Sequence, residues 1–581
     1  MPGVKPKELV VRSWWEKIAF LLGVLLSLAA CALGPPSYTV NYNGNGNTSG
    51  TPPLDSNRYV EGDSATVLGN SGNLAKTGFV FGGWNTKSDG TGTDYDKDAS
   101  LIIKNSNITL YAKWISDYSY LEPLVSGTQA SLASLNGSKV YTLVSTKPDH
   151  RSEGNVRTDF LKRSFMLRST AGQTASFAPT VGTGIETQGR SKALGVPGVF
   201  GVGQRGSDEK IRQIENEILS SGARQLSGAM AKSSRAAPLQ IEIGTEWNDV
   251  HIATASTSID TVCVAVSSSA YFFSDKRDRT AVDAYLSDYG YADAMNAIVG
   301  IDRDKFGLEN DVDQNGKIIV VFSGELNDGL LGYFNPQDKY PSSSYPDSNE
   351  GDIIYVTTEL RYQGGNGNIL KATLAHELQH MIYFDQHYNR GVSATYTWLN
   401  EALSQAAEYY NCYTDNHNAW IKSFLDSGSE NSGGWHGLSL TYWTDDNYGY
   451  GAVFIRYLID QYGDAAIKNM CSTGKVGIAA VEAVTNDSFN DIFSNFTKAL
   501  VLSGNDWSID PKYQFVTLNL QTVQPTGRGG LLPSSPTYSA GGSLNPSIYP
   551  YEISFNQWSG AFGTMTLSGS GFFGTAFGLS R

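Results

Sequence analysis

The feature that most constrains this chain is the pattern His-Glu-x-x-His at residues 376–380. His376 and His380 are four residues apart, so on an α-helix both imidazoles project from one face, one turn apart. This geometry suits two ligands of one tetrahedral Zn²⁺, with Glu377 beside them as the general base that activates water. The pattern lies in an apolar-periodic run from Ile369 to Ile382, which predicts the partly buried helix that a metal site requires.

A third ligand is predicted in a second helical pattern further along the chain. The segment Asn400-Glu401-Ala-Leu-Ser404 begins about twenty residues beyond His380, which leaves room for a loop and a return helix. We predict Glu401 as the third zinc ligand. A catalytic zinc site keeps its fourth position open for water or substrate.

These two motifs together resemble those of the gluzincin metallopeptidases, of which thermolysin is a member. The wider stretch from Asp311 to Tyr409 resembles the hyicolysin-type bacterial metallopeptidases, and the resemblance covers roughly residues 240–505. It implies a thermolysin-like α+β zinc metallopeptidase domain, which we place at residues 239–505. One departure concerns the residue that orients the first His: thermolysin has an Asp four residues after the ligand Glu, whereas this chain has Gln405. Glu408 is the alternative for that role.

An aromatic segment beyond Glu401 is predicted to complete the site. It contains Asn447-Tyr448-Gly-Tyr450-Gly451-Ala and resembles a stretch in which gluzincins place a Tyr hydroxyl that donates to the oxyanion. The resemblance assigns this role to Tyr448, and His436 is the alternative donor. The role of Tyr448 in packing remains a further alternative. His387 is expected on the surface, past the metal-binding helix.

A run of carboxylates precedes the apolar segment Ile318–Phe322. The sequence Asp311-Val-Asp313-Gln-Asn-Gly316 matches the start of a calcium loop, but its twelfth position is Phe322 rather than a bidentate Glu. This excludes an EF-hand. A turn before a strand is the favoured interpretation, and a structural Ca²⁺ is the alternative. Upstream, Leu239 to Ile243 predicts a strand and Asp275 to Val299 predicts one helix. Asp352 to Val356 predicts another strand before the metal-binding helix, and the resemblance to gluzincins implies that its free edge pairs with an extended peptide substrate.

Residues 1–30 have the features of an export signal rather than of a folded element. Basic side chains precede an apolar run from Ile18 to Ala30, which is too short to span a bilayer and long enough for a signal-peptide core. The run ends in Leu28-Ala-Ala-Cys31, which resembles the lipobox of bacterial lipoproteins and implies cleavage before Cys31 and lipidation of its thiol. An ordinary secretory signal is the alternative. Both predict an exported protein, and the first anchors it to a bacterial membrane.

Residues 37–115 form a separate unit with strand-like alternation. Tyr38 to Tyr42 and Ile108 to Trp114 alternate in polarity, with Asn-Gly and Asp-Gly turns between them. The unit resembles the internalin-type B repeat, or Listeria–Bacteroides repeat, a β-grasp-like module of bacterial surface proteins. The resemblance implies display at the cell surface and a spacer or adhesive role toward a host or extracellular ligand. We predict Trp84 and Trp114 as core residues of this unit.

Two further β-rich segments flank the predicted peptidase domain. Residues 117–238 combine strand-like pieces with a Gly/Thr/Ser-rich stretch, and are predicted to be either a propeptide or a docking domain. Residues 506–581 are predicted to be a β-rich tail. Three cysteines follow Cys31, an odd number that allows one disulfide with a free thiol, or three buried thiols.

The charge pattern excludes one class of partner. The net charge of −14 is spread along the chain, with no basic stripe to neutralise phosphates, which argues against nucleic-acid binding. The sequence therefore predicts a multidomain, surface-anchored zinc endopeptidase acting on protein or peptide substrates. Two alternatives remain open: an adhesin that uses the peptidase fold as a binding module, and an aminopeptidase.

Overall fold

The computed structural model describes these residues of the chain: 36–76, 79–116, 120–125, 129–131, 139–146, 163–164, 166–171, 207–222, 236–238, 240–326, 330–359, 367–426, 438–443, 447–503, 510–523, 537–539, 543–544, 547–548, 551–559, 562–568 and 572–579. The predicted export signal, Cys31 and His436 lie outside these ranges, so lipidation and export stay predictions. Among the described helices, none combines the length and apolar character needed to cross a membrane. The chain is multidomain with a mixed α/β structure, and it divides into two compact units: Met1–Tyr118 with Asp506–Ser508, and Ser119–Asn505 with Ile509–Arg581.

The first unit contains the segment with alternating polarity, and its described part is β-rich. Its strands are β1 (Val40–Asn43), β2 (Ser64–Thr66), β3 (Phe79–Asn85), β4 (Asp94–Tyr95), β5 (Ser100–Ile102) and β6 (Ile108–Ser116). One sheet has the order β1-β6-β3-β4, with β1 parallel to β6, and β2 pairs with β5. The register of β3 against β6 shifts between Phe81 and Trp84, where Gly83 has a φ of 99° that favours glycine.

Two tryptophans anchor the core of this unit, as predicted. The exposed fractions of Trp84 and Trp114 are 0% and 6%. Each ring also satisfies its one polar atom: Trp84 Nε1 donates to the carbonyl of Leu68 at 2.8 Å, and Trp114 Nε1 donates to that of Gly44 at 2.9 Å. A buried indole therefore contributes its apolar area without leaving an unpaired N–H.

The second unit contains all remaining described elements. Its strands are β7 (Tyr120–Val125), β8 (Gln129–Ser131), β9 (Lys139–Thr146), β10 (Arg163–Ser164), β11 (Met166–Ala171), β12 (Glu246–Ile252), β13 (Thr257–Val266), β14 (Ala270–Asp275), β15 (Ile318–Ser323), β16 (Gly332–Phe334), β17 (Ile353–Thr357), β18 (Thr537–Ser539), β19 (Ser543–Leu544), β20 (Ser547–Ile548), β21 (Ser554–Ser559), β22 (Phe562–Ser568) and β23 (Phe572–Leu579). Its α-helices are α1 (Ser207–Ser221), α2 (Arg279–Tyr289), α3 (Tyr291–Phe306), α4 (Asn368–Asn389), α5 (Thr397–Tyr410), α6 (Thr414–Asp426), α7 (Tyr448–Ser472), α8 (Gly477–Thr485), α9 (Phe489–Leu502) and α10 (Leu520–Val523). Short 3₁₀ helices cover Pro336–Lys339 and Pro511–Tyr513.

A six-stranded mixed sheet supports the helices that carry the predicted site. Its order is β12-β13-β14-β15-β17-β16. Strands β14, β15 and β17 run parallel, and β16 lies antiparallel to β17. Every residue of β15 and β17 is buried, which explains their near-continuous apolar sequences, because parallel strands are covered on both faces.

Three local predictions in this region differ from the structure. The predicted helix Asp275–Val299 is two helices, α2 and α3, separated at Gly290, whose φ of 64° is left-handed. The described residues of Leu239–Ile243 form no strand, and the first strand begins at Glu246. The strand expected to offer its edge to substrate, β17, is an inner strand because β16 pairs with it.

The two β-rich flanking segments form common sheets rather than separate ones. Strand β9 from the upstream segment lies between β21 and β23 of the tail, in the order β18-β21-β9-β23-β7. A second sheet, β19-β11-β22-β8, mixes the two segments in the same way. Removing β9 would therefore strip backbone hydrogen bonds from two tail strands at once. The predicted boundaries at 117–238 and 506–581 thus separate segments whose strands pair with each other.

The three described cysteines are free thiols, with Cys263 and Cys471 buried and Cys412 exposed.

A buried carboxylate near the edge strand predicts a pH-dependent stability. Asp338 is fully buried and accepts hydrogen bonds from the Asn349 N–H and the Tyr355 hydroxyl, each at 2.7 Å. Burial raises the pKa of Asp338 to about 7, although these hydrogen bonds lower it in part. Because the folded-state pKa exceeds the unfolded value, the protonated group stabilises the fold at low pH, and this contribution disappears as pH rises through about 7.

We therefore expect Asp338→Asn to gain stability relative to the wild type as pH rises. Between pH ~5.5 and ~8 the relative free energy of unfolding should shift by about 2 kcal/mol toward the variant. The measurement is the difference in Tm between the two proteins across this range, in which the constant cost of the substitution cancels. Parallel Tm curves would contradict the assignment.

Candidate metal centre

Helices α4 and α5 bring the predicted metal ligands together. His376 and His380 lie one turn apart on α4, with ring centroids 4.8 Å apart, and both are buried. Glu401 lies in the first half of α5, and its Oε2 is 3.2 Å from His376 Nε2 and 3.4 Å from His380 Nε2. Two imidazole nitrogens and one carboxylate oxygen thus converge on one point.

The spacing of these three atoms fits zinc. Ligands about 2.0–2.1 Å from a tetrahedral Zn²⁺ lie about 3.3–3.4 Å from one another. The separations of 3.2 and 3.4 Å between Glu401 and the two histidines agree with this geometry. His376, Glu377 and His380 also satisfy a looser criterion, since their ligand atoms all lie within 4.8 Å. The donor set of nitrogen and oxygen suits zinc among the divalent metals.

The second nitrogen of each imidazole has a partner that fixes the ring. His376 Nδ1 is 3.0 Å from Glu408 Oε1, and Gln405 Nε2 donates to the same oxygen at 2.6 Å. A carboxylate accepts only, so the contact with Glu408 requires a proton on Nδ1 of His376. With a metal ion at the point shared with Glu401, the lone pair of Nε2 would face that ion. Of the two residues that the sequence proposed for this role, Glu408 contacts His376 and Gln405 contacts Glu408.

Asn400 orients the second histidine, a role that the sequence analysis did not assign. Its Oδ1 lies 3.0 Å from His380 Nδ1. The signal was present in the motif, since Asn400 directly precedes Glu401. Asn400 lies one residue before Glu401 on α5. It reaches the ring of His380 because His376 and His380 lie one turn apart on α4.

Glu377 lies between the predicted metal ligands and the edge strand. It is buried, and its Oε2 accepts a hydrogen bond from the backbone N–H of Phe334 in β16 at 3.1 Å. This bond fixes the carboxylate at one oxygen. The general-base candidate is therefore held beside the backbone on which an extended ligand would pair.

One cavity brings the predicted residues together with side chains from distant parts of the chain. It is lined by Ile211, Arg212, Leu331, Gly332, Tyr333, Thr373, His376, Glu377, His380, Glu401, Gln405, Glu408, Asn416, Trp420 and Tyr448. Tyr448 begins α7, is 4% exposed, and has its ring centroid 6.2 Å from that of His376. Its ring stacks on Trp420 at 5.0 Å. The structure therefore places Tyr448 in the same cavity as the predicted metal ligands.

The prediction that His387 lies on the surface is wrong. His387 is fully buried in the last turns of α4, and its Nδ1 is 2.8 Å from the carbonyl oxygen of Tyr383. Burial lowers the pKa of His387, which favours its neutral form.

At the predicted ligands His376 and Glu401, neighbouring charges shift the pKa in the direction opposite to the shift that burial alone would cause. Burial alone would lower the pKa of His376, but hydrogen bonds to Glu401 and Glu408 raise it well above its usual value. Burial would raise the pKa of Glu401, and the neighbouring His380 and His376 hold it well below its usual value. Since a ligating imidazole must be neutral, protons compete with a metal ion for this site.

A second group of carboxylates lies apart from this cavity. Asp311, Asp313 and Asp352 have carboxylate oxygens within 4.8 Å of one another. Asp313 accepts from Asn315 Nδ2 at 2.7 Å and Asp311 accepts from the Gly316 N–H at 3.2 Å, bonds typical of a turn before a strand. Calcium binding at this turn stays a prediction.

Comparison with known proteins adds two findings. Residues 38–113 match the Listeria-Bacteroides repeat domain. The chain therefore contains this repeat. Over 126 residues the chain is 30% identical to the neutral metalloprotease ShpI of Staphylococcus hyicus, an alignment that covers 20% of this chain and 28% of that protein.

Two proteins of Evansella cellulosilytica, both named as membrane proteins and one as Gly-rich, are also similar to this chain. Each is 35% identical, over 89 and 95 residues. These alignments cover 15% and 16% of this chain, and 13% and 11% of the relatives. The matched part of the chain thus spans less than a third of the length of each of the three relatives. The similarity relates part of the chain to a metalloprotease and to proteins named for a membrane.

Proposed function

We propose that the chain is a zinc-dependent endopeptidase with a gluzincin-type site. The observation that carries this proposal is the convergence of His376 Nε2, His380 Nε2 and Glu401 Oε2, at 3.2 and 3.4 Å between carboxylate and imidazoles. Glu377, the general-base candidate, lies beside them. The similarity to a neutral metalloprotease supports the same conclusion.

In the proposed reaction, three residues hold the metal and Glu377 transfers the proton. Zinc held by His376, His380 and Glu401 would supply Lewis-acid chemistry, polarising the scissile carbonyl and acidifying water. Glu377 has Oε2 fixed by the Phe334 N–H, so Oε1 is the oxygen that accepts the proton of the attacking water. Glu377 then delivers that proton to the leaving amine.

Tyr448 is proposed to stabilise the negative charge that develops on the substrate carbonyl oxygen. Its side chain lines the same cavity as Glu377 and the histidines. Trp420 stacks on one side of its ring and Trp443 meets it edge-on, both at 5.0 Å, which limits the positions the side chain can adopt. A positioned donor of this kind contributes about 3 kcal/mol of transition-state stabilisation. His436 is the alternative hydrogen-bond donor that the sequence predicts for this role.

The edge strand favours extended peptide substrates. Strand β16 is the last strand in the order of its sheet, and its residues Gly332 and Tyr333 line the cavity. A Cβ at Gly332 would lie 2.7 Å from Tyr355 O and Thr373 Cγ2, so glycine is required for this close packing. Strand addition to β16 would bind substrate through backbone hydrogen bonds, with tolerance for its side chains.

An endopeptidase is favoured over the aminopeptidase alternative. An aminopeptidase needs an acidic group to hold the free amine of its substrate. The three glutamates that line the cavity each have another partner: Glu377 accepts from Phe334, Glu401 contacts both histidines, and Glu408 contacts His376. The length profile of the products from a long peptide separates the two activities, since an aminopeptidase releases single residues.

The repeat domain at residues 38–113 supports the second candidate, an adhesin with a peptidase-like module. The two functions differ in their need for metal. Zinc content therefore decides between them.

The test of the proposed function is the zinc content of the purified, folded chain. We expect about one zinc per chain in the wild type and its loss in His380→Ala, because two remaining ligands do not complete a tetrahedral protein site. His251→Ala is the matched control, since His251 lies on β12, outside the cavity lining. A folded wild type without zinc, or a His380→Ala variant that keeps it, would overturn the proposal.

A further inference from the structure

We propose that Glu215 is a positioning residue for the zinc ligand His380, acting through Asn400. The inference rests on the proposed function. Glu215 lies on α1, upstream of the peptidase domain predicted at residues 239–505. Part of the proposed metal site would therefore lie in residues 117–238, which the sequence predicts to be a propeptide or a docking domain.

Helix α1 is held against the site by specific contacts. It packs on β16 and on the 3₁₀ helix Pro336–Lys339. The backbone N–H of Thr395 donates to Asn216 Oδ1 at 2.7 Å, and the Thr395 hydroxyl donates to Glu215 Oε1 at 3.1 Å. Thr395 lies just before α5, the helix of Glu401, so these bonds fix α1 to the segment that positions the third ligand.

The charge of Glu215 determines which way the Asn400 amide faces. Glu215 is 1% exposed, and Asn400 Nδ2 lies 3.4 and 3.3 Å from its two oxygens. A carboxylate has no hydrogen to donate, so the NH₂ group of Asn400 must face Glu215 and its carbonyl oxygen must face away. That oxygen is the one 3.0 Å from His380 Nδ1.

The orientation of Asn400 in turn fixes the tautomer of His380. An amide oxygen only accepts, so His380 carries its proton on Nδ1 and keeps the lone pair of Nε2 for the metal. Ser404 Oγ donates its own proton to Gln379 Oε1 and lies 3.1 Å from Nδ1 and 3.2 Å from Nε2, so it does not distinguish the two ring nitrogens. The contact with Asn400 therefore selects the tautomer.

Arg212 makes the buried charge of Glu215 tolerable and links it to the third ligand. Its Nη1 donates to Glu215 Oε2 at 2.6 Å, and its Nε is 3.8 Å from Glu401 Oε1. A buried carboxylate that stays ionised is stabilised by such a compensating charge. One chain of contacts therefore runs from α1 through Glu215 and Asn400 to His380, and through Arg212 to Glu401.

The test is a double-mutant cycle on zinc affinity. The dissociation constant is measured by chelator competition for the wild type, Glu215→Ala, Asn400→Ala and the double variant, with Tm as a separate readout of folding. We expect Glu215→Ala to weaken zinc binding about 10–100-fold. In the Asn400→Ala background the same change should add little, because Glu215 then has no amide to orient. Glu217→Ala is the matched control, since Glu217 is an exposed carboxylate on the same helix.

The outcomes separate this inference from the proposed function. A wild type without zinc overturns both, whereas a zinc-binding wild type with an unaffected Glu215→Ala overturns the positioning role alone. Additive losses in the cycle also contradict it. If Glu215→Ala lowers Tm without changing zinc affinity, the role of Glu215 is structural. If zinc affinity is unchanged and peptidase activity rises, α1 is a removable cover of the cleft.

If Glu215→Ala does not fold, Glu215→Gln replaces it in the cycle. The amide of Gln can present a hydrogen to Asn400, which removes the constraint on the orientation of Asn400.

Discussion

Glu377→Gln is expected to bind zinc like the wild type and to lose nearly all peptidase activity. Glutamine has the shape of glutamate and keeps an oxygen to accept from the Phe334 N–H, so the site should keep its structure. It cannot take a proton from water at neutral pH. General acid–base catalysis contributes about 10²–10⁴-fold, so kcat should fall by about 10³-fold. The measurement is cleavage of casein or a long peptide, with zinc content determined on the same sample.

The zinc content of the Glu377→Gln variant shows whether Glu377 is a base or a metal ligand. His376, Glu377 and His380 are close enough together to form a metal group by themselves. If Glu377→Gln loses zinc, Glu377 is a ligand and the role of Glu401 must be revised. If it keeps both zinc and activity, another residue is the base. Tyr448→Phe is the comparison in the same assay, since removing a donor to the oxyanion should lower kcat by about 10²-fold with zinc retained.

The convergence of His376, His380 and Glu401 could be predicted from the sequence because it depends on local geometry. Two residues four apart share a helix face whatever the rest of the fold does, and Glu401 begins the next helical pattern. The structure brings their metal-facing atoms to 3.2 and 3.4 Å. The burial of Trp84 and Trp114 was predictable for a similar reason, since large aromatics in short alternating strands form the core.

The contacts of Glu215 could not be predicted, because they join residues far apart in the chain. Asn400 is 185 positions from Glu215, and no periodicity relates a polar helix to a carboxamide at that distance. The edge strand β16 was missed because Gly332-Tyr-Phe334 is too short to show alternation. The sequence does not predict that strands of the two flanking segments share sheets. The polarity pattern of one strand shows which face is buried, but not which strands are its neighbours.

Lys339→Met is expected to destabilise the second unit more than any other single change considered. Lys339 is fully buried, and its ammonium contacts Asp352 and lies 2.7 Å from Asp385 Oδ2. Burial alone would lower the pKa of Lys339, but the two carboxylates raise it, so the side chain is a cation. Removing it leaves two buried carboxylates without a counter-charge, at a cost of about 3–5 kcal/mol and a Tm lower by roughly 10 °C.

Two further variants show whether charge is the cause. Lys475→Met is the matched control, because Lys475 is exposed and its loss leaves no buried charge. Adding Asp352→Asn and Asp385→Asn to Lys339→Met should recover much of the lost Tm, since a buried charged group removed as a whole is far less costly than one left unpaired. A Lys339→Met variant as stable as Lys475→Met would contradict the assignment.

The position of this ion cluster makes it relevant to the proposed catalysis as well as to stability. Lys339 ends the 3₁₀ helix that follows β16, and Asp385 lies two turns after Glu377 on α4. The cluster therefore joins the edge strand to the helix of the metal ligands, which is also the junction that the Phe334–Glu377 hydrogen bond spans. We expect Lys339→Met to lower kcat at temperatures where it is still folded, with zinc retained, because that junction loosens while His376, His380 and Glu401 stay on helices that pack directly on each other.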